Sequence, residues 1–287
     1  MQQSILIVCR ALILVLAVAA SAFGQGNPDW TEPFPPFHIA GNLYYIGSKG
    51  LANYLVTTSQ GNILINSDLE TNVPMIEASI EKLEFKFKDT KILLISHAHW
   101  DHDAGSAMIK EMTGATYMVM DADVPVVESG GKTDFEYGNS PAFLYRLTKV
   151  DHVLHDGEEV RFGGVVLVAH LTPGHTKGCT TWTMEVTERG KTSKVAILGS
   201  PNVNPGQQHS LPADRRRLRA HMARSEVIAV RYFPRCAWQL LRTRRKVRSY
   251  ERGECEPVRR SWWLQKVHCP KEQDFRTELA EQRLAAK

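Results

Sequence analysis

Between residues 42 and 200 the apolar positions switch between two spacings. The runs NLYYIG (42–47), ANYLVTTS (52–59) and GNILINS (61–67) are short, rich in β-branched and aromatic residues, and broken by Gly, Asn and Ser. They predict a meander of strands. Val73, Ile76, Ile80 and Leu83 then recur at helical spacing, with Pro74 tolerated in a first turn. TKILLIS (90–96) predicts a buried strand, residues 104–113 a helix, and ATYMVMD (115–121) another strand. A helix-like stretch with a Gly130-Gly131 break follows, and then strands at VVLVAHLTPG, CTTWTMEV and KVAILGS. Strands alternating with helices predict an α/β layered protein whose chemistry sits in the loops at strand ends.

Both ends of the chain depart from this pattern. The stretch ILIVCRALILVLAVAASA (5–22) is apolar but for Arg10 and ends in small residues. It predicts a signal peptide over residues 1–22, and with it an exported, periplasmic protein not held in a membrane after cleavage. NPDWTEPFPPF (27–37) is proline-rich and reads as an extended lead-in. Beyond Gly206 the composition changes. Residues 210–270 hold fourteen of the twenty arginines, two lysines and five acids, a net +11. The whole chain is only +4, so the remainder is −7. No clean helix or strand period runs through this block, and residues 271–287 read again as an amphipathic helix.

The candidate chemistry lies in SHAHWDHDAGS (96–106), directly after the strand TKILLIS. Imidazole nitrogens and carboxylate oxygens are the ligands a zinc ion takes. His97 and His99 leave a strand two residues apart and can turn toward one point, while Asp101 and His102 reach a second point nearby. That is half of a two-metal site able to activate a water. His175, in HLTPGHTKGCTTW, supplies a further ligand from a turn after a strand. His170 reads as a strand residue, and His38, His152 and His155 as ordinary surface or core histidines. Cys179 reads as a small buried residue. The spacing of the cysteines matches no zinc-finger pattern.

HAHWDH, TPGHTKGCT and ILGSPN together resemble the metallo-β-lactamase superfamily, over residues 30–206, and within it the class B, subclass three β-lactamases. The resemblance implies one domain over residues 30–287, folded as a four-layer αββα sandwich. It implies a zinc enzyme opening the β-lactam ring of small antibiotics by attack of a metal-bound hydroxide. His97, His99 and His175 would hold the first zinc. Asp101, His102 and a C-terminal histidine would hold the second, with Asp101 also orienting the water. Ser200 stands where glyoxalase-like relatives have a bridging aspartate, and would bind the substrate carboxylate. Other hydrolases of the fold act on thioesters, lactones or phosphodiesters. A degenerate metal-binding protein is the non-enzymatic alternative; a nucleic-acid partner is not expected of an exported chain.

The family's sixth ligand lies in a segment like AHGSYYG, which the chain lacks. It has CAWQLLRT (236–243) instead. Ala237 to Arg242 can be encoded GCA TGG CAG CTA CTA CGG, and reading from the second base gives HGSYYG. Some shifted residues are forced whatever the codons: a tryptophan across Met222-Ala223, and glycines across Trp238-Gln239 and Trp262-Trp263-Leu264. Two compensating frame changes, near residues 207 and 270, would account for the whole block. As written, His209, His221, Cys236 and His268 do not replace the missing ligand. The first zinc site is then expected to survive and the second to weaken. The C-terminal third is expected to be disrupted, with half of the second sheet unable to pack, a loss beyond the usual stability margin of about 5–15 kcal/mol.

Overall fold

A computed structural model describes residues 27–200 and the strand Val227–Val230. The expected leader, the sixth-ligand segment and the closing helix lie outside the described residues.

One sheet has seven strands in sequential order: β1 (Phe37–Ala40), β2 (Leu43–Tyr45), β3 (Tyr54–Thr58), β4 (Gly61–Ile65), β5 (Thr90–Leu94), β6 (Thr116–Met120) and β7 (His152–Leu154). The first four pair antiparallel, as a meander. From β4 onward the pairing is parallel, which requires crossovers. Helix α1 (Val73–Lys82) makes the first of these, with Pro74 in its first turn. The short α2 (Trp100–Asp103) and α3 (Ser106–Thr113) make the second. A third short helix, α4 (Val124–Glu128), follows β6. The other sheet has the order β12-β11-β10-β9-β8. Strands β8 (Glu159–Phe162), β9 (Val165–Leu171), β10 (Thr180–Glu188) and β11 (Lys191–Ile197) are antiparallel, and β12 (Val227–Val230) runs parallel to β11.

Adjacent residues on the central strands are buried on opposite faces. Val56, Ile63, Ile65 and Leu94 meet Leu167, Trp182, Met184 and Val195 between the sheets. Their neighbours Leu55, Leu64 and Leu93 pack with Val73, Ile76 and Ile80 of α1 and Ile109 of α3 on the far side. A sheet covered on both faces needs apolar residues at successive positions, which is what KILLI and NILI provide. The described residues thus make three layers of the expected sandwich: helices, first sheet, second sheet.

Three sequence expectations change. Phe37, read as the end of the extended lead-in, begins β1 instead, because Phe37 and Ala40 pair with Tyr45 and Leu43. Residues 210–270 showed no strand period, yet Val227–Val230 pairs with Lys194–Ile197. Three of its four residues are β-branched, a composition that favours a strand. Half of the second sheet was expected to lie in the anomalous block; among the described residues, four of its five strands precede residue 198.

Candidate metal centre

Strand β5 delivers the HAHWDH stretch to the edge of the sandwich, and both sheets fix where it ends. The Ser96 N–H donates to Asn66 Oδ1 at 2.7 Å and the Thr180 N–H to the Ser96 carbonyl at 2.8 Å. The Trp182 indole N–H donates to the Ile95 carbonyl at 3.2 Å. Beyond this point the chain turns into α2, with His99 in extended conformation just before it. That turn places His97 and His99 inward, 2% and 3% exposed, and leaves Asp101 and His102 half-buried. The Ser67 N–H donates to the His102 carbonyl at 3.0 Å, and the Gly105 N–H to the Asp68 carbonyl at 2.9 Å. A Cβ on Gly105 would lie 2.4 Å from the Ser67 carbonyl oxygen, so the loop after β4 and the helix pair touch too closely for a side chain.

His175 arrives from the loop between β9 and β10. Gly174, at φ +140°, takes a conformation that L side chains rarely adopt. Thr172 N–H to the Cys179 carbonyl at 2.7 Å closes the loop. Two ligand sets result. His97, His99 and His175 each offer an atom within 4.8 Å of the others, and so do His97, Asp101 and His102. The sets adjoin through His97, whose ring centroid is 4.2 Å from that of His102 and 4.5 Å from that of His175. His99 Nδ1 lies 3.1 Å from His175 Nε2. All five ligand positions read from the sequence therefore converge.

The donor set fits a cation. Nδ1 and Nε2 of His97 and Nδ1 of His102 are buried and make no hydrogen bond of good geometry among the described residues, with only the Gly199 backbone close enough to interact with the His97 ring. Such atoms cost about 1–3 kcal/mol each when left unsatisfied, and a metal ion takes up one nitrogen of each ring. Burial, followed by the neighbouring rings His102, His175 and His99, pushes the His97 pKa well down; a weak favourable contribution from the Gly199 backbone is outweighed. Burial also lowers His102, against the pull of Asp101. His97 and His102 are thus held in the neutral form that ligates metals.

Several residues with a part in this centre were not singled out from the sequence. His99 Nε2 lies 3.4 Å from Asp134 Oδ2, which leaves Nδ1 facing His175. A carboxylate on the far nitrogen of a ligand histidine fixes its ring. Burial pushes Asp134 up, but His99 and the backbone N–H groups of Tyr137 and Glu136 pull it below its usual pKa. Asp123 accepts from Ala98 N–H at 3.0 Å, Thr176 O–H at 2.7 Å and Gly178 N–H at 2.7 Å. Burial raises its pKa, opposed by those same donors. Asp103, whose pKa burial raises to about 7, accepts from Ser106 O–H at 2.6 Å and from Tyr117 O–H. The available signal was position: Asp123 follows β6, next to β5, at the same sheet edge as His97.

An aromatic wall stands beside His99. Trp100 stacks on Phe143 at 4.2 Å, and Tyr137 sits edge-on to Phe143, Trp100 and His99. Trp30, from the lead-in, meets Trp100 edge-on at 6.0 Å. The other histidines among the described residues stay apart from the centre. His38, His152 and His155 are exposed, and His170 bonds Thr183 within the second sheet at 2.8 Å. Cys179 is fully buried, as its setting suggested. Ser200 is half-buried, three residues past β11; a Cβ on its neighbour Gly199 would press on Thr180 and Cys179.

Known proteins share this arrangement. A family model described as metallo-β-lactamase superfamily matches residues 52–187, spanning both ligand loops. The native FEZ-1 metallo-β-lactamase from Legionella gormanii is 65% identical, covering 61% of this chain and 67% of its own, with a TM-score of 0.60. BJP-1, a subclass B3 metallo-β-lactamase of Bradyrhizobium japonicum, is 29% identical, covering 91% of this chain and 99% of its own, with a TM-score of 0.66. A probable metallo-hydrolase of Burkholderia pseudomallei (strain 1710b) is 30% identical over 90 residues, 31% of this chain. The match spans 30% of that curated relative's length, well short of the whole protein. With its α/β fold, its candidate metal site and these similarities, the chain belongs to the metallo-β-lactamase superfamily of hydrolases.

Proposed function

We propose that the chain descends from a periplasmic, subclass-three zinc β-lactamase and carries an intact first metal site beside an incomplete second one. The convergence of His97, His99 and His175, with the identity to FEZ-1, carries the reading. His97, His99 and His175 hold the first zinc; Asp101 and His102 contribute to a second. Bound there, zinc supplies Lewis acidity and lowers the pKa of a water to near neutrality. Asp101 would orient a water in the site through its carboxylate. Ser200 hydrogen-bonds the carboxylate of the substrate. The wall of Trp100, Tyr137 and Phe143 offers an apolar face to the antibiotic's side chain.

The chain as written stops short of a full ligand set, because the shifted reading of residues 207–270 is needed to restore HGSYYG. The zinc-loaded protein, in the written and the shifted frame, should be assayed on a cephalosporin, a carbapenem, a thioester, a lactone and a phosphodiester. β-Lactam turnover by the shifted-frame protein is expected. Turnover of the thioester, lactone or phosphodiester alone sinks the β-lactamase reading. Resequencing the gene from the codon of Val203 to that of Phe275 tests the frame changes: an inserted or deleted base at each edge is expected.

A further inference from the structure

We infer that Asp123 is the clasp that holds the two metal-ligand loops at binding distance, and so sets the zinc affinity of the three-histidine site. The inference rests on that site being a zinc site, not on the substrate proposed for it.

Asp123 stands at the N-cap position of α4, where an aspartate ordinarily accepts a hydrogen bond from its own helix. It makes no such bond. Its side chain turns away from α4 and is spent on two distant segments. Oδ2 accepts from the N–H of Ala98, the residue between ligands His97 and His99, and from the hydroxyl of Thr176, next to ligand His175. Oδ1 accepts from the N–H of Gly178 in that second loop. The residue is 1% exposed, so water does not compete for these bonds. The fit is tight as well: a Cβ on Gly178 would lie 2.6 Å from Asp123 Cγ. The loops come from different sheets, β5 of the first and β9–β10 of the second. A fixed anion between them holds His97 and His99 against His175 before any metal binds. Preorganised ligands spend less of the binding free energy on ordering themselves. Groups that orient ligands from outside the coordination sphere are typically worth about 10- to 100-fold in metal affinity.

Asp123→Asn keeps the shape but replaces one acceptor oxygen with a donor. Thr176→Val removes a single donor at nearly constant volume and serves where Asp123→Asn does not fold. Val160→Ala, in the core between the sheets, is the control for general destabilisation. Each is made in the full chain, in the written and the shifted frame. Zinc affinity is read by competition with a chromophoric chelator, and ligand geometry by the visible spectrum of the cobalt-substituted protein. We expect zinc affinity to fall about 10- to 100-fold in Asp123→Asn and by a smaller factor in Thr176→Val, with altered cobalt bands. Val160→Ala should lower the melting temperature and leave affinity and spectrum alone. Wild-type zinc affinity in a folded Asp123→Asn or Thr176→Val protein would overturn the inference, as would an equal loss in Val160→Ala. β-Lactam hydrolysis is not a readout, so an inactive wild type bears on the proposed function and leaves this test intact.

Discussion

Replacing a metal ligand should stabilise the metal-free protein. His97 is 2% exposed, and its ring nitrogens make no hydrogen bond of good geometry among the described residues, the Gly199 backbone giving one of them a weak interaction. Its ring lies 4.2–5.0 Å, centroid to centroid, from those of His102, His175 and His99, a grouping that only a cation rewards. One unsatisfied and one weakly paired buried nitrogen cost about 1–4 kcal/mol together. Leucine is close to histidine in volume and carries no such cost; misfit in a cavity shaped for a planar ring returns about 1–3 kcal/mol. Water entering the metal-free site recovers a further part. His97→Leu should therefore stabilise the zinc-free protein by about 1 kcal/mol, or roughly 2–4 °C in melting temperature. Zinc should reverse the order, because it stabilises whichever form binds it, by about 4 kcal/mol at a thousand times the dissociation constant. The assay is thermal unfolding of both proteins in excess chelator and in excess zinc. A variant less stable than wild type in chelator would show that the His97 ring is not a burden on the metal-free fold, and one whose melting temperature zinc raises as much would show that His97 is not a ligand.

Three other substitutions test the frame around the site. Trp182→Phe removes the indole donor to the Ile95 carbonyl and leaves a void between the sheets; urea unfolding should show a loss of about 2–3 kcal/mol with and without zinc. Gly105→Ala drives a methyl into the Ser67 carbonyl, 2.4 Å away, and should cost about 1–3 kcal/mol with reduced zinc content. Asp151 bonds Lys110 at 2.8 Å and the Tyr117 N–H at 2.9 Å. Burial pushes its pKa up, but those partners bring it below its usual value. A depressed carboxylate stabilises the fold above its unfolded pKa, near 4, and that contribution disappears as pH falls through the lower folded value. Asp151→Asn should thus lose about 1 kcal/mol at pH 7 and match wild type near pH 2 in denaturant titrations.

The parts of the molecule most legible in the sequence are those where a local pattern does the physical work. Ile92–Ile95 are apolar at four successive positions, so their place in a strand covered on both faces, β5, follows from composition. The ligands His97, His99, Asp101 and His102 lie within six residues, and a strand end delivers them together whatever the remaining topology. His175 was reachable because Pro173-Gly174 marks a turn after an apolar run. Short or polar strands were not legible. β7 is His152–Leu154 and β8 Glu159–Phe162, and each earns its place by pairing with β6 or β9 rather than by its own period. Asp123 and Asp134 were invisible for a related reason. Their partners are 25 to 55 residues away for Asp123, and 35 for Asp134, and only the packed sheets bring them together.

The most direct test is to compare cephalosporin hydrolysis by the zinc-loaded chain as written with hydrolysis by the chain carrying residues 207–270 in the shifted frame. With the first metal site intact and the second incomplete in the chain as written, the shifted-frame protein should turn over substrate rapidly. The written one should be at least about 100-fold slower, on the scale expected when a catalytic interaction is lost. Equal, rapid hydrolysis by the chain as written would contradict it, because five ligands would then suffice and the Arg-rich block would be part of a working enzyme.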